Sequence, residues 1–307
     1  MIDLPRPRAV IDAHHHVWDL RNDLPWLKYE RIQFRYGDYS DICRDYMPQN
    51  YRRDTAGWPV VGSVYVEAEW NRTLAAQEPH WVAWVAAEHG LPSAVVAWCD
   101  FASDEAEALL TSHARIPLVR GVRHKPTAAA SPRDARRGLP GSMDDPVWRR
   151  GYALMEHYRL SYDLQTPWWH LDAAADLAHD FPRTQLIINH TGLPADRSVE
   201  GLANWRRALE TAAAQPNIAI KISGIGSPGQ PWSIEANGSL IQDTITIFGS
   251  DRCMFASNFP VERLVGDFDT IYSGFLAATA DRTEAERDSL FHDNAVRFYR
   301  LQGAVCS

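Results

Sequence analysis

Hydrophobic and polar positions along the 307-residue chain alternate between two textures. Short apolar runs rich in β-branched residues give way to longer stretches in which apolar positions recur three or four residues apart, the pattern of strands alternating with helices. The strand-like runs are AVIDAH from Ala9, VVGSVYVEAE from Val60, AVVAWC from Ala94, LVRGVRH from Leu118, LSYDLQ from Leu160, LIINHT from Leu186, IAIKIS from Ile218 and CMFASN from Cys253. Helical spacing follows Thr73, where Trp81, Trp84 and Val85 are placed on one face, and recurs over 145–158, 172–179, 201–214 and 234–248. Eight strands with helices between them predict an α/β fold of the closed (β/α)8 type, a TIM barrel, rather than an open doubly wound sheet. The glycine-rich dinucleotide fingerprint is missing after the first run, where HHHVWD stands instead.

One segment departs from this rhythm. From 17 to 59 the chain runs 43 residues with weak periodicity, against about two to six in an ordinary βα loop. It holds Trp18, Trp26, Tyr29, Phe34, Tyr36, Tyr39, Tyr46, Tyr51 and Trp58. That aromatic density suits either a packed excursion, over the barrel mouth or against a second copy in a homo-oligomer, or a lid whose rings line a substrate pocket. With the excursion included, residues 1–307 read as a single domain.

Composition narrows the partners. The chain is 45% hydrophobic and 23% charged, with a net charge of −8; it has no apolar run long enough to span a bilayer, and its field repels polyanions. Neither membrane nor nucleic acid is expected, and a small-molecule substrate is. Cys43, Cys99, Cys253 and Cys306 lack metal-type spacing and read as free thiols of a cytoplasmic protein, with no apolar leader at the N-terminus.

In a parallel barrel the chemistry gathers at the C-terminal ends of the strands. The first run ends in His14, His15 and His16; alternation puts His14 and His16 on one face and His15 on the other. The second carries Glu67 and Glu69 before Arg72, and the fourth ends in Arg123, His124 and Lys125. Gln165 precedes Trp168, Trp169 and His170 after the fifth, Asn189 and His190 close the sixth, Lys221 and Ser223 the seventh, and Asn258 the eighth. Any one of these could be a core residue satisfied by a neighbour. Polar endings on most of the eight runs are hard to explain by packing alone.

The segments IDAHHHVWD, LIINHTGLP and CMFASNFPVE, with the closing NAVRFYRL helix, resemble the amidohydrolase superfamily. The resemblance is to its amidohydrolase-2 type TIM-barrel hydrolases, the group of the sugar-acid lactonases and the pyrone dicarboxylate lactonase, and runs from about Val10 to Leu301. It implies lactone hydrolysis or isomerisation, or in distant branches decarboxylation, with one divalent ion (zinc or manganese) or none. By the same resemblance His14, His16 and His190 match metal-binding or carbonyl-binding histidines. Asn258 stands where the family usually has an aspartate that acts as general base. An amide offers no basic lone pair near neutral pH, so another base is required, from His190, His124, His170, Glu67 or Glu69.

These considerations give His190, Asn258 and His124 as catalytic candidates. Glu67, Arg72, Arg123, Gln165, Trp168 and Trp169 are the candidates for binding the substrate. Arg72, Arg123 and Lys125 suit a carboxylate, and the tryptophan faces suit a sugar or lactone ring; Arg123 could equally pair with Asp100 or Glu67, and the tryptophans could be packing. The expected substrate is an anionic or polyhydroxylated lactone. If no water is activated, attack by a substrate hydroxyl would make the chain a lactone isomerase, and a binding scaffold without activity is a third reading.

Overall fold

The computed structural model describes residues 5–301, which leaves Cys306 outside the described residues. Each strand-like run forms a strand: β1 Val10–His15, β2 Val60–Val66, β3 Ala94–Trp98, β4 Val119–His124, β5 Ser161–Leu164, β6 Leu186–Ile188, β7 Ile218–Ile222 and β8 Cys253–Phe255. All pair in parallel, in chain order, as the right-handed βαβ crossover requires. The helices after them are α1 Pro48–Asp54, α2 Glu78–His89, α3 Ala106–Ala114, α4 Pro146–Tyr158, α5 Leu171–Asp180, α6 Val199–Ala213, α7 Ile234–Phe248 and α8 Phe268–Ala278. This is the (β/α)8 barrel the pattern predicts.

Two apolar layers hold it. Outward strand residues such as Val95, Val122, Ile188 and Ile220 pack under the helices, while Ile11, Val64, Val66, Val96, Ile187 and Met254 fill the barrel. The closing helix Asn294–Tyr299 adds Ala295, Phe298 and Tyr299 to the inner layer. Lys221 and Asp163 form a fully buried ion pair at 2.6 Å inside the barrel, and Asp163 also accepts from Tyr299 and Asn189.

On α2 the buried stripe runs through Val82 and Val85, and Trp84 is 51% exposed; Trp81, Trp84 and Val85 therefore do not form one buried face. The helix turns Val82 and Val85 to the barrel surface.

The barrel closes through the segment after β8. His15 bridges to Phe259, the His16 N–H donates to the Phe259 carbonyl at 2.7 Å, and the Asn258 N–H donates to the His14 carbonyl at 2.7 Å. Closure thus lays Asn258 beside the histidines. On the other edge the β1–β2 register shifts between Asp12 and His15, a bulge of the kind that re-aims side chains beside active sites.

The 17–59 excursion is largely packed: Trp18 and Tyr51 are fully buried, and Trp18 forms a bridge with Tyr46. Tyr51 donates to Asp12 at 2.8 Å, which ties α1 to the first strand. No helix among the described residues is long and apolar enough to cross a membrane.

Candidate active site

A cavity of about 100 Å3 opens at the C-terminal ends of the strands, the end at which a parallel barrel gathers its chemistry. The strand ends contribute His16, Glu67, Ala68, Glu69, Arg123, Lys125, Gln165, His190, Asn258 and Val261 to its wall; the excursion adds Trp26, Ile32, Phe34 and Arg35. Trp26 and Phe34 stack at 5.7 Å with an interplanar angle of 11° and present apolar surface to the polar floor.

The histidines are held neutral. His16 Nδ1 lies 2.8 Å from the Val66 carbonyl oxygen; a carbonyl only accepts, so Nδ1 carries the proton and Nε2 a lone pair. Burial, then the Arg123 charge, pushes His16 down to about 3, against opposing pulls from the Val66 carbonyl, Glu67 and a side-chain hydrogen bond with Asn258. Burial also drives His190 far below the usual histidine range, reinforced by Arg35, Arg123 and Lys221. His190 Nδ1 pairs with Ser223 Oγ at 2.9 Å. His14 contacts both other rings, at 5.1 Å from His16 and 4.6 Å from His190, and its two buried ring nitrogens have no hydrogen-bond partner. His15 faces away and packs on Tyr51 at 4.5 Å.

Backbone strain gathers here. Glu69, His190, Thr191, Leu193 and Asn258 all have φ between 52° and 57°, a left-handed conformation that costs a non-glycine residue on the order of 1–2 kcal/mol. Gly224 permits the His190 position: a Cβ added there would meet His190 Nδ1 at 2.6 Å. Asn258 is fixed from below, its Nδ2 donating to buried Glu262 at 3.2 Å. Glu262 also accepts from the Tyr36 hydroxyl and the Gly226 N–H, each at 2.9 Å.

The cationic strand ends are mostly neutralised. Arg123 pairs with Glu67 at 2.6 Å, both nearly fully buried, and donates to Gln165 at 3.1 Å. Arg72 adds a bond to Glu67 at 3.0 Å, and Lys125 pairs with Glu69. Burial would raise the Glu67 carboxyl, but Arg123, Arg72 and Lys125 together hold it well below its usual range.

Several sequence candidates stand outside the cavity wall. Arg72 lies over Trp98. His124 accepts from Trp148 at Nδ1 and faces Asp100, and burial pushes it down to about 4. Trp168 is buried, Trp169 donates to the Ala129 carbonyl, and His170 Nε2 accepts from the Ala129 N–H. Sequence reasoning did not single out Arg35, Ile32, Ala68 or Val261. For Arg35 the one available signal was its place between Phe34 and Tyr36 in the aromatic excursion.

The donor chemistry for a divalent ion is present in His14, His16 and His190. Among the described residues, however, no group of three or more His, Cys, Asp or Glu side chains is placed so that it could hold one. The rings form a cluster of neutral imidazoles rather than a closed ligand set.

Comparison with known proteins identifies the family. The family model described as Amidohydrolase matches residues 11–301. The protein y4mH of Sinorhizobium fredii is 36% identical over 294 residues, covering 95% of this chain and 99% of that protein. An L-fucono-1,5-lactonase of Burkholderia ambifaria is 29% identical, with 95% of each chain covered. A Burkholderia multivorans amidohydrolase crystallised with bound zinc superposes with a TM-score of 0.79 at 25% identity, covering 95% of this chain and 99% of its own. The chain belongs to the amidohydrolase family and is a hydrolase on a (β/α)8 barrel.

Proposed function

We propose that the chain opens a small cyclic ester by attack of water on its carbonyl carbon. The observation that carries this reading is a cavity whose floor joins a neutral histidine of fixed tautomer, His16, to a second neutral histidine, His190, and to the buried Arg123. The resemblance to proteins named L-fucono-1,5-lactonase supports the ester class.

The lone pair on His16 Nε2 takes the proton of the attacking water, and the Asn258 amide orients that water. Arg123 and His190 face the carbonyl oxygen and stabilise the oxyanion as the carbonyl π pair moves onto it, a contribution worth about 3–4 kcal/mol per well-placed donor. As the oxyanion forms, its charge raises the proton affinity of His16 and offsets the burial that holds the ring neutral. Collapse of the intermediate breaks the ring C–O bond; the imidazolium protonates the departing alkoxide, and the product acid releases one proton.

The competing reading is lactone isomerisation, favoured by the amide at Asn258. A panel of lactones in a weakly buffered indicator assay separates the two. Hydrolysis releases one proton for each lactone consumed; consumption with no proton and a new ring size by NMR would establish isomerisation and overturn the proposal.

A further inference from the structure

The cavity wall holds three cations and two carboxylates: Arg35, Arg123 and Lys125 against Glu67 and Glu69. Arg123 is committed to Glu67, and Lys125 to Glu69. Arg35 has no carboxylate partner among the described residues; its polar bond is from Nη2 to the Gly224 carbonyl at 2.6 Å, and its guanidinium rests over the Tyr36 ring at 4.6 Å. Buried Glu262, which accepts from the Tyr36 hydroxyl, is already engaged by Gly226 and Asn258 as well. Half-buried Arg197, bonded to the Ile225 carbonyl at 2.7 Å, feels the Arg35 charge and adds to the local positive excess.

Arg35 is also pre-positioned. Its one backbone bond spans from the excursion to the loop after β7, and the ring beneath it is fixed through the Tyr36 hydroxyl to Glu262. A guanidinium offers five N–H donors, so the remaining edge is available for two parallel bonds to a carboxylate, the geometry that a planar fork provides and an ammonium does not. The residue holding Asn258, Glu262, is the same one that anchors the ring under Arg35.

We propose that Arg35 is a specificity-determining residue that binds a carboxylate on the substrate, so that the lactone opened here is an anionic one. This rests on the lactone-opening reading above. It moves recognition of the substrate carboxylate from the strand-end arginines, whose charge is paired with Glu67, to the roof of the cavity, and leaves the remaining N–H groups of Arg123 to the carbonyl oxygen.

The test compares a lactone carboxylate with its primary amide, of the same ring size, in the proton-release assay, using the intact protein and the Arg35→Gln and Arg35→Lys variants. The intact protein is expected to favour the carboxylate. Arg35→Gln should lose about tenfold to a hundredfold more kcat/KM on the carboxylate than on the amide, mainly through KM. Arg35→Lys should recover part of that difference and confirm that the position tolerates substitution. Equal losses on both substrates, or a preference of the intact protein for the amide, would overturn the assignment. If neither lactone is opened, the lactonase reading fails on its own. The Arg35 assignment is then decided by titration calorimetry with tetrahydrofuran-2-carboxylate: binding weakened about tenfold or more by Arg35→Gln upholds it, and no binding, or unchanged binding, overturns it.

Discussion

At the scale of single residues, tautomer and burial do more than charge to define the site. The Val66 carbonyl dictates which nitrogen of His16 is basic, and burial keeps that nitrogen unprotonated down to about pH 3. A base whose pKa is lowered keeps its working form well below the usual histidine range, so kcat/KM should show no acid limb near pH 6.5. A pH profile is expected to stay flat from pH 8 to about pH 5; a limb centred between about 6 and 7 would contradict the assignment of His16. Asn258 makes a separate claim. A carboxylate beside His16 and His14 would give a divalent ion a charged oxygen donor that an amide lacks, so Asn258→Asp is expected to raise the metal content of the purified protein. Elemental analysis finding equal metal in the two proteins would refute that. The parity of His14 and His16 could be read from strand alternation alone. The Arg123–Glu67 pair was visible only as one of two possibilities, because the partners lie 56 positions apart and only closure of the sheet decides between them.

At the scale of elements, the loop after β2 depends on a carboxyl contributed by α2. Glu78 is buried, and its Oε1 accepts from the Tyr65 hydroxyl and the Ala68 N–H, both at 2.6 Å, while Oε2 has no partner. Burial, then the Glu67 charge, pushes its pKa up to about 7. A carboxyl whose folded pKa is raised binds its proton more tightly in the folded chain, so its contribution is fully present below pH 4.5 and is lost as pH rises toward 7. Relative to Glu78→Gln, the intact protein should therefore lose up to about 1.4 kcal/mol of stability per pH unit across that window. Urea unfolding of both proteins from pH 4.5 to 8 checks this, and parallel stability curves would disprove it. The strands themselves were legible throughout, because β-branched runs are short and bounded. The inward side of α2 was not: Trp84 satisfies helical spacing, but the barrel surface selected Val82 and Val85.

At the scale of the whole molecule, two distant segments complete the cavity. The end of β8 returns to β1 and sets Asn258 against His14 and His16, while the excursion after β1 supplies Trp26, Phe34 and Arg35 to the roof. The sequence marked the excursion by its aromatic density, yet which of its side chains reach the cavity depends on contacts such as that of Arg35 with Gly224, 189 positions away. Trp168 and Trp169, equally aromatic, lie outside the cavity wall. The proposed attack of water on the ring carbonyl is tested most directly by turnover of a lactone in oxygen-18 water. Mass spectrometry of the product is expected to show one labelled oxygen in its carboxyl group. A product without label, or with the label in the new hydroxyl, would contradict attack of water at the carbonyl.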